Sequence, residues 1–491
     1  MRRRLSWSSV VLTLAAASAA AMLASCAGAA TSGGQGGNAG SSTSKITPTI
    51  NWPTPSPITN STPLGSTQLD ATANVPGSFV YNPPAGTVLD AGAQTLTVVF
   101  TPSNPAAYNT AQASVSLTVN SATPASPDAY VYVSASSTSN SNAVETYAFA
   151  AASDGTLTPV SGSPFVSTGG LQTTNGKYLF GTDGTYLYSY STTADGSFQQ
   201  AASIDAQQFN TQINGGTPCG GPDILFFDQI GDTLYDLDFY SDCANNAYQS
   251  FRVDNSTGGM SYVGVTSTTT PIFDVGLRFL GNNQFAYGAS CYHLIAQIFG
   301  FARNSDGSLT SLGNPFLHPP IPAAPAGEFF CPFLTATDSS NHVAVALQPI
   351  DASSLQSVGP YQLATYTADG SGNLSTLSTN STMPAASVTN TSGSSLTSLS
   401  MSPTGQLLAV AGSGGLQVFH FNGASPITSY TALLTTEQVD QVFWDNKNHL
   451  YALSQSAGKL FVFTVTATSN IEAPQSPYNI TSPAALVVLP E

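Results

Sequence analysis

Apolar and polar residues alternate along most of this chain, which is the pattern of half-buried β-strands. In residues 46–121, Leu96, Val98 and Phe100 fall on one face of a strand, and the same alternation recurs at 115–119. Proline and glycine separate these short segments. The pattern predicts a small antiparallel sandwich over residues 46–121.

A longer unit recurs over residues 127–491. It consists of an apolar strand, a strand rich in Tyr or Val, a third strand with alternating aromatics, a turn and a short fourth strand. In the clearest copies an aromatic residue precedes the turn glycine by eight positions; the pairs are Tyr147 and Gly155, Tyr188 and Gly196, Phe251 and Gly259, and Phe299 and Gly307. Asp-Gly at three of these turns supplies the positive φ of a hairpin. Looser copies near 366–374, 401–421 and 448–463 bring the count to seven.

Seven units of four short strands predict an all-β, seven-bladed β-propeller, because radial stacking buries both faces of each sheet and hides most strand edges. The two ends of this region indicate how the ring closes. Residues 129–133 (AYVYV) predict a second strand, and residues 484–489 (AALVVL) predict a lone first strand. We expect the C-terminal strand to lie innermost in the blade that the N-terminal strands begin.

Two segments resemble known families. Residues 49–119 contain TINW, GSFVYNP, LTVVFTP and VSLTV and resemble the immunoglobulin-like repeats of bacterial surface proteins. This resemblance implies a small immunoglobulin-like β-sandwich that acts as a spacer or adhesion module. The phrases GTLTPVSGSPF (155–165), SPTGQLLAV (402–410) and PAALVV (483–488) resemble the seven-bladed lactonase family of propellers, whose members include 6-phosphogluconolactonases.

The lactonase resemblance implies a histidine, an acidic residue and arginines near one mouth of the channel. We find no motif that places this set on the chain, and only Arg252, Arg278 and Arg303 remain after the signal segment. Arg303, beside Asp306 and Gly307, is predicted to be a surface turn residue. Because a phosphate favours several cationic contacts, phosphosugar hydrolysis is not expected.

The N-terminal segment has the layout of a bacterial lipoprotein signal. Three arginines precede an apolar run, and Leu-Ala-Ser leads into Cys26. We expect a signal peptide over 1–25 and lipid on Cys26, with ordinary cleavage to a soluble secreted protein as the alternative. Residues 26–45 are rich in Gly and Ser and predict a flexible tether. The expected location is the cell envelope, at the outer membrane or the periplasm and cell surface.

Composition and charge mainly exclude functions. Only 7% of residues are charged and the formal net charge is -16, which removes the electrostatic case for binding nucleic acid. No nucleotide, zinc or redox motif is found, so we expect no cofactor and no metal. One repeat is locally acidic through Asp223, Asp228, Asp232, Asp236, Asp238 and Asp242. Calcium could bind there, but the spacing matches no EF-hand loop, and solvated strand-edge carboxylates are the favoured interpretation.

Four cysteines follow the lipidated one: Cys219, Cys243, Cys291 and Cys331. An even number in an exported protein favours disulfides. Because their loops share one propeller face, we expect Cys219 to pair with Cys243 and Cys291 with Cys331. Pairing of Cys243 with Cys291 is also geometrically possible, and four reduced thiols are the third alternative.

Five side chains near these cysteines are candidates for chemistry: His293, His318, Glu328, Arg278 and Asp274. Arg278 is predicted on the innermost strand of the fourth repeat. A histidine and a carboxylate near an arginine would activate water and hold the oxyanion of an ester or lactone. The simpler interpretation is that these side chains are solvated or structural.

Together these patterns predict a membrane-anchored monomer that acts as a binding or scaffolding module through its loop-rich face, with a protein or glycan as the expected ligand. A lactonase-type hydrolase that uses the channel mouth is the alternative, and the ligand itself is not predicted.

Overall fold

The computed structural model describes residues 44–120, 126–136, 144–212, 224–238, 246–268, 276–292, 295–313, 319–389 and 396–491. The chain divides into two compact units, Met1–Pro124 and Ala125–Glu491. Within the described ranges, no helix is long and apolar enough to cross a membrane. Several predicted features lie outside these ranges: the signal peptide, Cys26, Cys219, Cys243, Asp274, His293 and His318.

The N-terminal unit consists of two sheets around one apolar core. Its strands are β1 (Ile50–Asn51), β2 (Ile58–Thr59), β3 (Thr72–Ala73), β4 (Gly77–Asn82), β5 (Gly92–Pro102) and β6 (Ala111–Asn120). One sheet pairs β1 with β3, and the other has the order β2-β6-β5-β4. Leu96, Val98 and Phe100 are buried as their alternation predicts, and Trp52 donates its indole N–H to the Gln68 carbonyl at 3.1 Å.

The C-terminal unit begins with β7 (Ala129–Ser136), β8 (Val144–Ala151), β9 (Leu157–Pro159), β10 (Phe165–Ser167), β11 (Gly170–Thr174), β12 (Tyr178–Thr182), β13 (Tyr186–Thr192), β14 (Phe198–Asp205), β15 (Ile224–Phe227), β16 (Thr233–Asp238), β17 (Asn246–Val253) and β18 (Met260–Thr268). It continues with β19 (Arg278–Phe279), β20 (Phe285–Tyr292), β21 (Ile295–Arg303), β22 (Leu309–Ser311), β23 (Glu328–Thr337), β24 (His342–Asp351), β25 (Gln362–Ala368), β26 (Leu374–Ser375), β27 (Leu396–Met401) and β28 (Leu407–Gly412). It ends with β29 (Gly415–Asn422), β30 (Ser425–Ser429), β31 (Gln441–Trp444), β32 (His449–Ser454), β33 (Lys459–Val465), β34 (Asn470–Glu472), β35 (Tyr478–Asn479) and β36 (Pro483–Pro490). A short 3-10 helix, Gln207–Gln212, follows β14.

Among the described residues of this unit, the strands form seven antiparallel sheets, which we number I to VII. Sheet I has the order β36-β7-β8-β10, with β9 also paired to β8. Sheets II to VI are β11-β12-β13-β14, β15-β16-β17-β18, β19-β20-β21-β22, β23-β24-β25-β26 and β27-β28-β29-β30. Sheet VII is β31-β32-β33-β34, with β35 also paired to β33.

Both faces of each sheet are buried, which explains why the second strands are apolar without interruption. In β7, Tyr130 and Tyr132 pack in the cluster shared with sheet II, whereas Val131 and Val133 pack in the cluster shared with sheet VII. The same arrangement continues around the described sheets, so that each adjacent pair encloses one buried apolar cluster. This closed order is that of a β-propeller, and the predicted all-β propeller fold is confirmed.

The last strand closes the ring as the sequence predicts. Strand β36 pairs antiparallel with β7 and lies at the inner edge of sheet I, with Leu486 opposite Val133 and Val488 opposite Val131. The first and last strands of the unit therefore share one sheet.

In six of the seven described sheets, a glycine in the turn between the third and fourth strands packs against the preceding sheet. In these six turns, a Cβ on the glycine would lie 2.2 to 3.3 Å from a side chain at or next to the start of the preceding sheet's second strand. The pairs are Tyr130 with Gly196, Tyr178 with Gly258, Thr233 with Gly307, Phe285 with Gly372, His342 with Gly423, and His449 with Gly155. All six glycines have positive φ. In the third repeat this residue is Gly258, one position before the glycine that the repeat spacing indicates.

Candidate ligand-binding channel

The innermost strands of the described sheets enclose a cavity of about 740 Å³ on the propeller axis. Each sheet contributes its first strand in the ring, namely β11, β15, β19, β23, β27, β31 and β36. An innermost strand is a sheet edge, so its backbone groups have no β-partner on the channel side. Side chains must supply hydrogen-bond partners for these backbone groups. Lining side chains that do so are not available to bind a ligand.

Five of the polar side chains that line the cavity bond to a neighbouring sheet. Gln172 accepts a hydrogen bond from the Leu225 N–H at 3.0 Å, and Gln441 accepts one from the Leu486 N–H at 2.7 Å. The Thr337 hydroxyl donates to the Phe279 carbonyl at 2.7 Å. Thr335 and Thr397 donate in the same way to carbonyls of adjacent sheets. These side chains hold the ring together.

Arg278 is the positively charged side chain of the described lining, and its charge has no counter-ion among the described residues. It begins β19, its side chain is exposed to the channel, and its guanidinium donates to the Leu277 carbonyl at 3.3 Å. Protein surrounds the channel, and this loss of bulk solvent lowers the pKa of Arg278 below its ordinary value. A guanidinium nevertheless stays protonated in proteins. Within the described residues, no ion pair therefore compensates the positive charge of Arg278.

Asp440 supplies the negative charge in the same lining. It directly precedes β31, and its carboxylate accepts from the Gln438 amide at 2.7 Å and from the Gln455 N–H at 2.7 Å. Both donors are neutral. No ion pair joins Asp440 to a basic side chain within the described ranges. Sequence patterns did not single out this residue.

The remaining sequence candidates do not join Arg278 in the described part of the channel. Glu328 is the first residue of β23, opposite Asp351 in register, and lies outside the lining, which begins six residues later at Leu334. His293, His318 and Asp274 lie outside the described residues. The described lining thus contains a group that binds anions but no histidine placed to act as a base.

A disulfide joins Cys291 of β20 to Cys331 of β23, with a Cα–Cα distance of 5.3 Å. It is one of the expected pairings, and it excludes the alternative pair of Cys243 with Cys291. Cys331 lies within β23 rather than before it, because this strand begins at Glu328. The bond links sheet IV to sheet V.

The prediction that Arg303 is a surface turn residue is wrong. Its side chain is only 8% exposed, and it pairs with Asp228 at 2.7 Å and with Asp232 at 2.6 Å across the boundary of sheets III and IV. Burial raises the pKa of Asp228, against the opposing effect of Arg303. Burial also acts to raise the pKa of Asp232, but hydrogen bonds and the arginine charges outweigh it and lower that pKa.

The described aspartates of the acidic repeat are also not solvated strand-edge carboxylates. Asp228 and Asp236 are buried, and Asp228 and Asp232 serve the ion-pair network of Arg303. Asp223 and Asp242 lie outside the described residues, as does the side chain of Asp238. Among the described residues, no group of three or more metal-ligating side chains comes together.

Two histidine–aspartate pairs were not predicted; the pair in sheet VII is buried and the pair in sheet V is partly buried. In sheets V and VII the aspartate after the first strand accepts from the ring of a histidine four residues later, at 2.7 Å for His342 with Asp338 and for His449 with Asp445. The repeated spacing Asp-x-x-Asn-His marks both in the sequence. Both turns lie at the end of the first strand, away from the chain segments that lead into the channel strands. Their position indicates a structural role.

Comparison with known proteins supports the fold. No protein-family model matches the chain, and no curated protein matches it in a sequence search. Solved structures do match. A candidate 6-phosphogluconolactonase from Bacteroides fragilis has 12% identity and a TM-score of 0.52, covering 75% of this chain and 99% of its own. A second from Bacteroides uniformis has 11% identity and a TM-score of 0.53, covering 73% and 99%. A protein from Lactobacillus plantarum has 12% identity and a TM-score of 0.50, covering 74% and 99%.

Proposed function

We propose that this protein is a ligand-binding module of the cell envelope that binds a small molecule in the channel of a seven-bladed propeller, with an anionic group of the ligand at Arg278. The observation that carries the proposal is the charge of Arg278, which lacks a counter-ion among the described residues. A charge kept in a desolvated cleft without a partner indicates a functional site. Five of the other polar side chains of the lining bond to neighbouring sheets and so stabilise the ring.

The loop-rich face would then be the side from which the ligand approaches. The chain reaches each innermost strand from the connections on this face, and Arg278 is the first residue of its strand. The disulfide of Cys291 and Cys331 fastens two sheets at the same face. A rigid rim around the channel suits a binding module that works as a monomer and admits a small ligand from this face.

The test is a thermal-shift and calorimetric screen of the mature protein against acetate, gluconate, glucuronate, diglycine and glucose. We expect at least one compound to bind the native protein and to bind Arg278→Gln at least about tenfold more weakly. Arg252→Gln is the matched control, because it removes an arginine that lies outside the channel lining. Binding that is equal in native protein and Arg278→Gln, or no binding at all, would contradict the proposal.

Lactonase-type hydrolysis in the same channel is the second candidate function. The names of the two Bacteroides neighbours favour it, although likeness at 11–12% identity extends only to the fold. We expect no acid release from glucono-δ-lactone or its 6-phosphate above spontaneous ring opening. Turnover that disappears in Arg278→Ala, His293→Ala or His318→Ala would replace the binding function with a lactonase.

We further propose that residues 1–25 are a signal peptide, that lipid on Cys26 tethers the mature chain to the envelope, and that residues 46–121 form an immunoglobulin-like spacer. The arginines, apolar run and Leu-Ala-Ser-Cys support the anchor. Cys26→Ser should shift the protein from the membrane fraction to the soluble fraction. A variant that still fractionates entirely with membranes would be inconsistent with the tether.

A further inference from the structure

Arg278 and Asp440 are the ionisable side chains of the channel lining in the described part of the chain. Both lie at the same end of the innermost strands, since Arg278 begins β19 and Asp440 directly precedes β31. Their sheets, IV and VII, stand three positions apart among the seven described sheets, so the two residues face the channel from nearly opposite sides. They form no ion pair with each other.

The two charged side chains have different hydrogen-bond partners, but both lack an opposite charge among the described residues. Asp440 has two neutral donors, and Arg278 has one backbone acceptor, so neither charge meets an opposite charge among the described residues. A simple anion at Arg278 would leave Asp440 as it is. A ligand that carries both charges would satisfy the two positions at once.

The charge of the whole chain favours such a ligand over an anion. The formal net charge of -16 opposes the approach of any molecule with net negative charge, whereas a molecule without net charge meets no such penalty. Five neutral polar side chains of the lining already bond to neighbouring sheets, so the two charged side chains are the groups that would select a ligand by its charge.

We propose that the channel binds a small zwitterion of the amino acid or short peptide class, with its carboxylate at Arg278 and its ammonium group at Asp440. This inference rests on the proposed function, because it assigns a ligand class to the same site. It also fixes the orientation of the ligand across the channel.

The experiment is calorimetric titration of the mature protein with glycine and with the unblocked oligoglycines from two to five residues. Each extended residue adds about 3.3–3.6 Å between the terminal charges, so the series samples the charge separation. We expect one length to bind best. We also expect N-acetylation or C-amidation of that peptide to weaken binding by about tenfold or more.

Variants then test the orientation. Arg278→Gln should lose the preference for a free carboxylate while it still distinguishes a free from an acetylated amine. Asp440→Asn should show the opposite pattern. Arg252→Gln and Asp205→Asn, which change charges outside the channel lining, should behave as the native protein. Thermal unfolding of each variant reports whether it is folded.

The outcomes separate this inference from the proposed function. If gluconate or glucuronate binds through Arg278 and no peptide of the series binds better, the zwitterion assignment fails while the channel remains a ligand site. If no compound depends on Arg278, both fail. If the two variants exchange their patterns, the ligand does not lie in the proposed orientation and the assignment is wrong.

Discussion

Arg303 ends β21 with its guanidinium between two carboxylates, whereas Arg278 begins β19 without any among the described residues. A buried charge that loses its partner is strongly destabilising, because the remaining charge stays desolvated. The same residue type therefore stabilises the fold at one position and is available to a ligand at the other.

Replacement of Arg303 should show that this arginine stabilises the fold. We expect Arg303→Gln to lower the free energy of unfolding by about 3 kcal/mol, because Asp228 is fully buried and would lose its cation. Arg252→Gln is the matched control, since that arginine is 43% exposed and pairs with Asp232 at 3.3 Å; we expect less than about 1 kcal/mol. Denaturant unfolding measures both, and equal losses would contradict the assignment.

His449 should make stability depend on pH. Its side chain is 1% exposed. Burial disfavours the charged ring, but the hydrogen bond and charge of Asp445 outweigh burial and raise the pKa of His449 above its ordinary value of about 6.5. A raised pKa in the folded state stabilises fully below the unfolded value, and this stabilisation is lost as pH rises through the folded value.

The pKa of the paired aspartate, Asp445, shifts in the opposite direction, so its contribution to stability depends on pH in the opposite way. Burial acts to raise the pKa of Asp445, but the hydrogen bonds and charge of His449 lower it overall. Its stabilisation is present above the unfolded pKa of about 3.9 and is lost as pH falls through the folded value. The pair therefore contributes most between these two limits, from about pH 4 to about pH 6.5.

Unfolding free energies of native protein and His449→Gln, measured across this range and up to pH 9, should differ most near pH 5 to 6 and converge as pH rises. His420→Gln serves as the comparison, because the ring of His420 contacts the ring of Tyr430 and forms no ion pair with a carboxylate among the described residues. A difference between native protein and His449→Gln that stays constant from pH 5 to 9 would rule out a role for the protonated ring.

Single residues show where sequence reasoning stops. The Asp306-Gly307 turn beside Arg303 was predicted correctly, and Gly307 has a φ of 94°. The error came from the length of the arginine side chain, which reaches back to another sheet, and local sequence does not encode that reach. The Asp-x-x-Asn-His spacing occurs twice in the sequence, but its structural role could be inferred only once both turns were seen to occupy equivalent positions in their sheets.

Adjacent sheets fit together at glycines whose spacing the sequence reveals but whose partners it does not. The eight-residue spacing locates Gly196, but only the assembled ring shows Tyr130 and Tyr132 of sheet I at this turn. A Cβ on Gly196 would lie 2.2 Å from the Tyr130 ring, and the Tyr132 hydroxyl donates to the Gly196 carbonyl at 3.0 Å. The glycine is needed for both its backbone conformation and its missing side chain.

Two glycines of sheet II allow the need for a positive φ to be tested apart from the need for a missing Cβ. Gly184 has a φ of 86° and no atom within 4 Å of the position that a Cβ would occupy, whereas Gly196 has a φ of 82° and meets Tyr130. We expect Gly184→Ala to cost about 1–2 kcal/mol from the left-handed backbone alone. Gly196→Ala should cost about 1–3 kcal/mol more from the displaced tyrosine. Equal losses in denaturant unfolding would show that the sheet contact does not require glycine.

At the scale of the whole molecule, the repeat pattern predicted the fold because each unit has the same hydrophobic alternation and turn. It also predicted that Arg278 lies on an innermost strand of the repeat, which is where the structure has it. Asp440 was missed because its relation to Arg278 depends on the order of sheets around the closed ring, and the two residues lie far apart in sequence.

Ring closure by β36 is the feature on which the whole propeller depends. Leu486 and Val488 belong to the buried cluster shared with sheet VII, and Val487 and Leu489 to the cluster shared with sheet II. Each buried aliphatic side chain contributes about 1.5–3 kcal/mol, so loss of four approaches the whole stability of a typical domain, about 5–15 kcal/mol. Deletion of residues 483–490 should therefore abolish cooperative unfolding of the propeller.

A chain that lacks only Glu491 is the control, because this exposed residue lies beyond β36. We expect it to unfold as the full chain does, whereas the strand deletion should give little folded protein. Addition of a synthetic peptide of residues 483–490 should restore part of the folded signal, since the peptide would again pair with the free edge of β7. An unchanged midpoint of thermal unfolding after the strand deletion would mean that the propeller is stable as an open ring.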